Sequence, residues 1–339
     1  MELLAAKVPE RSDINAANFA AEVVPAYQPL ILRGINRHWP AVQNALASPA
    51  AISSYLSQFY NDRPVEAFVG APDIGGRFFY SQDLAGFNFK RQQTKLTSFL
   101  HYLMGKGAEA DSRSVYVGAA AVPEYLPGFA GQNPLPLLEG KQTVPRIWIG
   151  NRTSVSTHFD QSDNIAAVVA GRRRFTVFPP DQVGNLYVGP LDHTMAGQPA
   201  SMVSVHAPDF ARYPKFREAL KNAMVADLEP GDAIYVPSLW WHHVDALEPF
   251  NILLNYWWSD APPEAALPFE AMVHGLSAIS HLPEPRREAW HAMFENYVFQ
   301  RDGKPAEHLP EERRGILGAS TPQLHAKLRR FLLQALGRR

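Results

Sequence analysis

The sequence predicts a mainly β domain, a sandwich or barrel, with helices on both flanks. Two observations carry this reading. Between about Pro145 and Trp258, short apolar or alternating runs follow one another: RIWIG, SVSTHFD, NIAAVVA, RRFTVF, DAIYV, WWHHVDAL and NILLNYWW. Turn residues separate many of them, at Gly150-Asn151, Gly171, Pro179-Pro180 and Pro230-Gly231. Strands of this length and spacing belong to all-β sandwiches and barrels.

The flanking elements follow in order. Ser12 and Asp13 are placed to cap a helix reaching about Val24. QPLILRG (Gln28 to Gly34) reads as a short buried strand ended by glycine, and Pro40 to Tyr60 as helix broken near Ser48 and Pro49. RFFYSQD is strand-like, Thr94 to Met104 helical, and SVYVGAA (Ser114 to Ala120) a strand. An insertion from Gly184 to Ala223 interrupts the β region and holds a helix near Lys215 to Asn222. After Pro262-Pro263 the chain turns helical, at Glu264 to Ile279 and Glu284 to Tyr297. Thr321-Pro322 then opens a closing amphipathic helix on which Leu324, Leu328 and Leu332 recur at helical spacing.

Composition narrows the function classes. With 32 basic and 33 acidic residues the net charge is -1, so bulk charge gives no support to a nucleic-acid role. The absence of cysteine removes disulfides, thiolate zinc sites, iron–sulfur clusters and cysteine nucleophiles, and leaves His, Asp and Glu as metal ligands. The N-terminus reads as neither a signal peptide nor a membrane span, and no run reaches spanning length; the expected location is cytoplasmic.

The chemistry gathers at THFD. Residues two apart on a strand face the same way, so His158 and Asp160 aim an imidazole and a carboxylate at one point. A second His from a distant strand completes a triad of two His and one carboxylate, which suits Fe(II) with open positions for other ligands. WWHHV supplies that His, but strand parity alone leaves the choice between His242 and His243 open.

At this point the stretches STHFDQSDNIAAVVAGRRRFTVFPPDQVGNLY, LEPGDAIYVPSLWWHHVDAL and NILLNYWW, with RFFYSQDLAGFNF and SVYVGAA more weakly, resemble a known family. They are similar to the cupin-like JmjC oxygenases, most of all to the group around the asparaginyl hydroxylase acting on hypoxia-inducible factor. The resemblance implies a double-stranded β-helix (cupin or jelly-roll) core at about 114–258, inside an oxygenase domain of 1–258, and a helical region at 259–339. It implies Fe(II) held by His158, Asp160 and His242, with His243 facing away. It implies 2-oxoglutarate and O2 as co-substrates, Tyr116 on the distal carboxylate, Asn164 and Asn255 around co-substrate and metal, and Trp257 as an aromatic wall. The family's lysine for that carboxylate is replaced by Arg173, a good carboxylate partner. Arg172 and Arg174 alternate to the opposite face, and Thr153, Ser156 and Thr157 offer a further contact. The implied reaction hydroxylates a C–H bond, on a protein or peptide side chain or on a small molecule, and yields succinate and CO2. A nucleoside in RNA ranks lower on charge, and a metal-binding cupin module without oxygenation is the reading outside the enzyme class. The C-terminal helices imply a homodimer, and no membrane partner is expected.

Overall fold

The structure is a computed structural model that describes residues 6–109, 111–195 and 197–337. It divides into two compact units, Met1–Ser259 and Asp260–Arg339. Among the described residues no helix is long and apolar enough to cross a membrane.

Eight strands of the first unit form the scaffold of the site. We number them β1 (Arg146–Gly150), β2 (Thr153–Phe159), β3 (Asp163–Ala170), β4 (Arg173–Phe178), β5 (Met224–Leu228), β6 (Ala233–Val236), β7 (Trp241–Ala246) and β8 (Asn251–Trp258). They lie in two antiparallel sheets, ordered β1-β8-β3-β6 and β2-β7-β4-β5. The chain switches sheet at nearly every connection, which is the winding of a cupin-type jelly roll. The exception is β4 to β5, neighbours in one sheet joined through the long insertion. The N-terminal region extends both sheets. Leu30–Leu32 and Glu10–Arg11 continue the first beyond β6; Ser114–Ala121, Val65–Gly70 and Phe89–Thr94 continue it beyond β1. Ala6–Lys7 and Arg77–Phe78 edge the second sheet.

The apolar residues form layers that explain the sequence pattern. Ala166, Val168, Phe175, Val177, Ile234, Val236, Val244 and Leu253 pack between the sheets. On the back of the larger sheet, Ile165, Ala167, Val169, Ile252 and Leu254 pack with Trp39, Leu56, Leu100 and Phe129 from the N-terminal helices. Strands β3 and β8 are therefore buried on both faces, which is why NIAAVVA and NILLNYWW read as continuous apolar runs. A third cluster folds the insertion down on itself, with Leu186, Val203, Val205 and Phe216 around Phe178 and Trp241.

Two expectations are corrected. Ser12 and Asp13 do not cap the first helix. Arg11 takes the Asp13 carboxylate at 2.6 Å, and Asn15 is the cap, accepting from the Ala17 and Asn18 amides at 3.0 and 3.1 Å. The helix then passes through a π-helical stretch, Phe19–Val23, and ends at Ala26. Five strands carry no reading in the sequence: the two-residue Ala6–Lys7 and Glu10–Arg11, and the longer Val65–Gly70, Phe89–Thr94 and Met224–Leu228. FKRQQT is a mostly exposed polar edge strand, so it has no hydrophobic alternation to reveal it.

In the second unit, helices span Pro268–Ile279, Glu284–Phe294 and Pro322–Leu336. Thr321 caps the last, its hydroxyl accepting from the Leu324 amide at 3.2 Å. Phe331, Leu333 and Leu336 stand more than half exposed on it.

The turn between β3 and β4 depends on Gly171, whose φ is +70°. A Cβ there would collide with Asn251 Oδ1 and sit 2.7 Å from the Phe250 carbonyl oxygen. Left-handed strain alone is worth about 1–3 kcal/mol, and the collision adds to it. Gly171→Ala is expected to lower unfolding free energy by roughly 3 kcal/mol in a urea titration, a core-sized effect.

Candidate metal centre

The site is set by a register shift between β2 and β7. Val155 pairs with Val244, yet His158 pairs with His242, so three steps on β2 match two on β7. This β-bulge reverses the parity of β2. Val155, which packs against the core between the sheets, and His158 thus share a face despite their odd spacing. Parity on β7 separates the two candidates: His242 alternates with the core residue Val244 and faces inward, and His243 faces out. The His158 and His242 rings lie 4.4 Å apart. One ligand atom from each of His158, Asp160 and His242 lies within 4.8 Å of the other two.

Each ligand is oriented from behind. His158 Nδ1 is 2.9 Å from the Ser156 carbonyl and His242 Nδ1 is 3.1 Å from the Trp240 carbonyl. A carbonyl only accepts, so both Nδ1 atoms carry hydrogen and both Nε2 lone pairs are left for a metal. Burial, and then the neighbouring His158, push the His242 imidazole down to about 4 against the pull of Asp160. It is therefore neutral at pH 7, the form that ligates. Asp160 Oδ2 accepts from the Trp257 indole at 2.8 Å and from Asn164 Nδ2 at 3.2 Å, and lies 3.6 Å from His242 Nε2. Asn255 Nδ2 in turn donates to Asn164 Oδ1 at 2.8 Å. The smaller sheet thus brings the imidazoles, and the larger sheet supplies the donors that hold the carboxylate.

A cavity of about 600 Å³ opens over these groups. Tyr116, His158, Asp160 and Trp257 line it, together with Phe78, Trp148, Ser156, Met195 and Gln198. Tyr116 is stacked on Phe68 at 4.6 Å and parallel to within 2°, with Phe78 edge-on at 4.7 Å; burial pushes its hydroxyl pKa up. Asn164, Asn255 and His242 stand behind the wall as the hydrogen bonds above describe.

Arg173 occupies a different position. It is buried on the inward face of β4, in alternation with Phe175 and Val177, and is not part of the cavity wall. Its Nε has no partner, and among the described residues no carboxylate forms an ion pair with it. Burial pulls its pKa down to about 10, so it remains a cation. Arg172 and Arg174 point outward, more than two-fifths exposed, and pair with Glu248 and Asp227.

Among the lining residues that sequence reasoning missed, two carry buried polar atoms without a partner. Trp148 faces the cavity with a buried, unpartnered indole N–H, a direction its place in RIWIG permits. Gln198 brings a buried, unpartnered Oε1 from the insertion, where no periodicity marks it. Of the three hydroxyls offered near His158, Ser156 lines the cavity, while Thr153 and Thr157 are buried beside it in β2.

Jelly-roll winding and an inward His-x-Asp…His set give a cupin-like fold with a candidate metal centre. Over residues 16–264 the chain matches the Cupin-like domain, and it belongs to that family. It is 24% identical over 309 residues to the tRNA wybutosine-synthesizing protein 5 of Gallus gallus, covering 84% of this chain and 92% of that protein. It is 32% identical over 132 residues to the human HSPB1-associated protein 1, covering 38% of this chain and 25% of that protein. It is 33% identical over 103 residues to the lysine-specific demethylase JMJ31 of Arabidopsis thaliana, covering 30% of this chain and 18% of that protein. The last two matches span a quarter or less of those proteins.

The Trp257 indole fixes the rotamer of the Asp160 carboxylate. Trp257→Phe keeps the aromatic wall and removes only the donor. Loss of such a supporting bond is worth about 10–100-fold in metal affinity, and Mn(II) titration by calorimetry is expected to show a fall in that range with the fold intact by circular dichroism.

Proposed function

We propose that this protein is an Fe(II)- and 2-oxoglutarate-dependent oxygenase that hydroxylates a C–H bond. The reading rests above all on Arg173, a buried guanidinium without a carboxylate, in the same barrel as a two-His, one-carboxylate set with free Nε2 atoms. A buried cation left unpaired is disfavoured by several kcal/mol, so the barrel interior is built for an anion. A dicarboxylate co-substrate meets that need with one end and reaches the metal with the other. His158, Asp160 and His242 would hold the iron, with Tyr116 and Arg173 toward the distal carboxylate. Bound Fe(II) and 2-oxoglutarate supply the coupling of oxidative decarboxylation, to succinate and CO2, with hydroxylation by O2. The chain's own residues orient the co-substrate, and the aromatic wall of Phe78, Tyr116, Trp148 and Trp257 limits water.

The substrate proposed is a protein or peptide side chain, in keeping with the likeness of the motifs to the asparaginyl hydroxylase group. A second reading, a nucleoside in RNA, is favoured by the near full-length similarity to the Gallus gallus protein. Succinate release stimulated by peptides or by tRNA separates the two. Mixing Fe(II) and 2-oxoglutarate anaerobically with wild type is expected to give a visible metal-to-ligand charge-transfer band. Asp160→Ala is expected to give none. Arg173→Leu is expected to raise the 2-oxoglutarate concentration needed by about 100-fold, in line with the loss of one buried charge partner, with Arg173→Lys between. A wild type without the band overturns the assignment.

We further propose a homodimer through the C-terminal helices, supported by the exposed Phe331, Leu332, Leu333 and Leu336 on one helix. Light scattering is expected to give twice the chain mass for wild type and the single mass for Leu328→Glu; a monomeric wild type refutes the dimer.

A further inference from the structure

His243, which plays no part in the proposed iron centre, is not left idle. It faces away from the barrel on β7, and Asp245 follows two residues later on the same face. The strand thus carries a second His-x-Asp pair, on the opposite side from His242. His206, from the insertion, comes down onto it. Its Nε2 lies 2.9 Å from Asp245 Oδ1, and His243 Nε2 lies 3.2 Å from the same oxygen. Ser154, the partner of Asp245 on β2, places Oγ 3.0 Å from His243 Nε2. One donor atom each from His206, His243 and Asp245 falls within 4.8 Å of the others.

We propose that His206, His243 and Asp245 form a second metal site, for a borderline divalent ion of the Zn(II) class, on the outer face of the smaller sheet.

The donor spacing is that of a tetrahedral ion. Ligands held at about 2.0–2.1 Å stand roughly 3.3 Å apart, and modest side-chain rotation brings the observed contacts to that value. Two imidazoles and one carboxylate suit Zn(II) over the hard ions Mg(II) and Ca(II). The fourth position falls to water or to Ser154, since the His206 side chain is 59% exposed and opens the site to solvent. Charge also favours an ion. The Asp245 side chain is only 9% exposed. Its Oδ1 is the point on which both imidazoles converge. Arg174, opposite Asp245 on β4, is already engaged by Asp227 at 2.7 Å, and Arg77 lies over the Phe79 ring at 4.0 Å.

Such an ion would clip the insertion to β7. The same insertion pairs with β2 at the iron centre: Ala200 bridges to His158, and the Ser201 amide donates to the Thr157 carbonyl at 2.7 Å. Met195 and Gln198, just ahead of Ala200 in the chain, line the cavity. The clip is therefore structural, and what it steadies is one wall of the substrate cavity.

The test is Zn(II) stoichiometry, by calorimetry on the tag-free, chelator-stripped full chain. Wild type is expected to take two equivalents, and His206→Ala and Asp160→Ala one each. The double variant Asp160→Ala/His206→Ala is expected to take none. His206 is exposed, so its replacement leaves the fold in place, and Asp245→Asn serves as the second probe. An Asp160→Ala chain that takes up no Zn(II), or a His206→Ala chain that binds as much as wild type, overturns the proposal. If the iron assignment alone is wrong, wild type binds one equivalent that His206→Ala abolishes, so the two failures are told apart.

Discussion

The candidate centre depends on one extra residue in β2. Without the bulge between Val155 and His158, strand alternation would send His158 out of the barrel. With it, His158 meets His242 across the strand pair, and the carboxylate of Asp160 follows two residues on. A backbone irregularity thus does what no choice of side chain in a regular strand would do. Pairing resumes at His158 and Phe159, and Asp160 sits just beyond β2 with its carbonyl oxygen held by the Leu239 amide at 2.8 Å.

Around that point the two sheets contribute different chemistry. The smaller sheet supplies two imidazoles, each oriented by a backbone carbonyl. The larger sheet, buried on both faces, supplies rigid neutral donors: Asn164, Asn255 and Trp257 project from strands whose alternate residues are locked against the N-terminal helices. Precision at the carboxylate is therefore inherited from the most thoroughly packed part of the molecule. The insertion adds a further wall, anchored by Leu186, Val203, Val205 and Phe216 on Phe178 and Trp241 of the barrel strands.

Much of this was legible in the residues. The β region, its turn at Gly171 and the separation of Arg173 from Arg172 and Arg174 followed from alternation and punctuation. The choice between His242 and His243 did not, because Trp240 and Trp241 place a large apolar ring on each face of the strand and erase the parity signal. The bulge was equally silent: SVSTHF reads as one strand, and nothing in Ser156 or Thr157 announces the extra residue. The Asn15 cap was missed because three capping residues stand within four positions, and the ion pair of Arg11 with Asp13 decided among them. Gln198 and His206 were beyond reach for a different reason. They sit in irregular chain, where only tertiary packing says which way a side chain turns.

Arg173 has a consequence for the life of the protein as well as for its site. A buried guanidinium without a carboxylate beside it is a cost that the empty chain carries and a bound anion would relieve. Any anion that settles there adds its binding free energy to that of folding. Resistance to unfolding, and with it to proteolytic turnover, would then rise and fall with anion supply, so that abundance as well as activity would follow the supply of small acids around it.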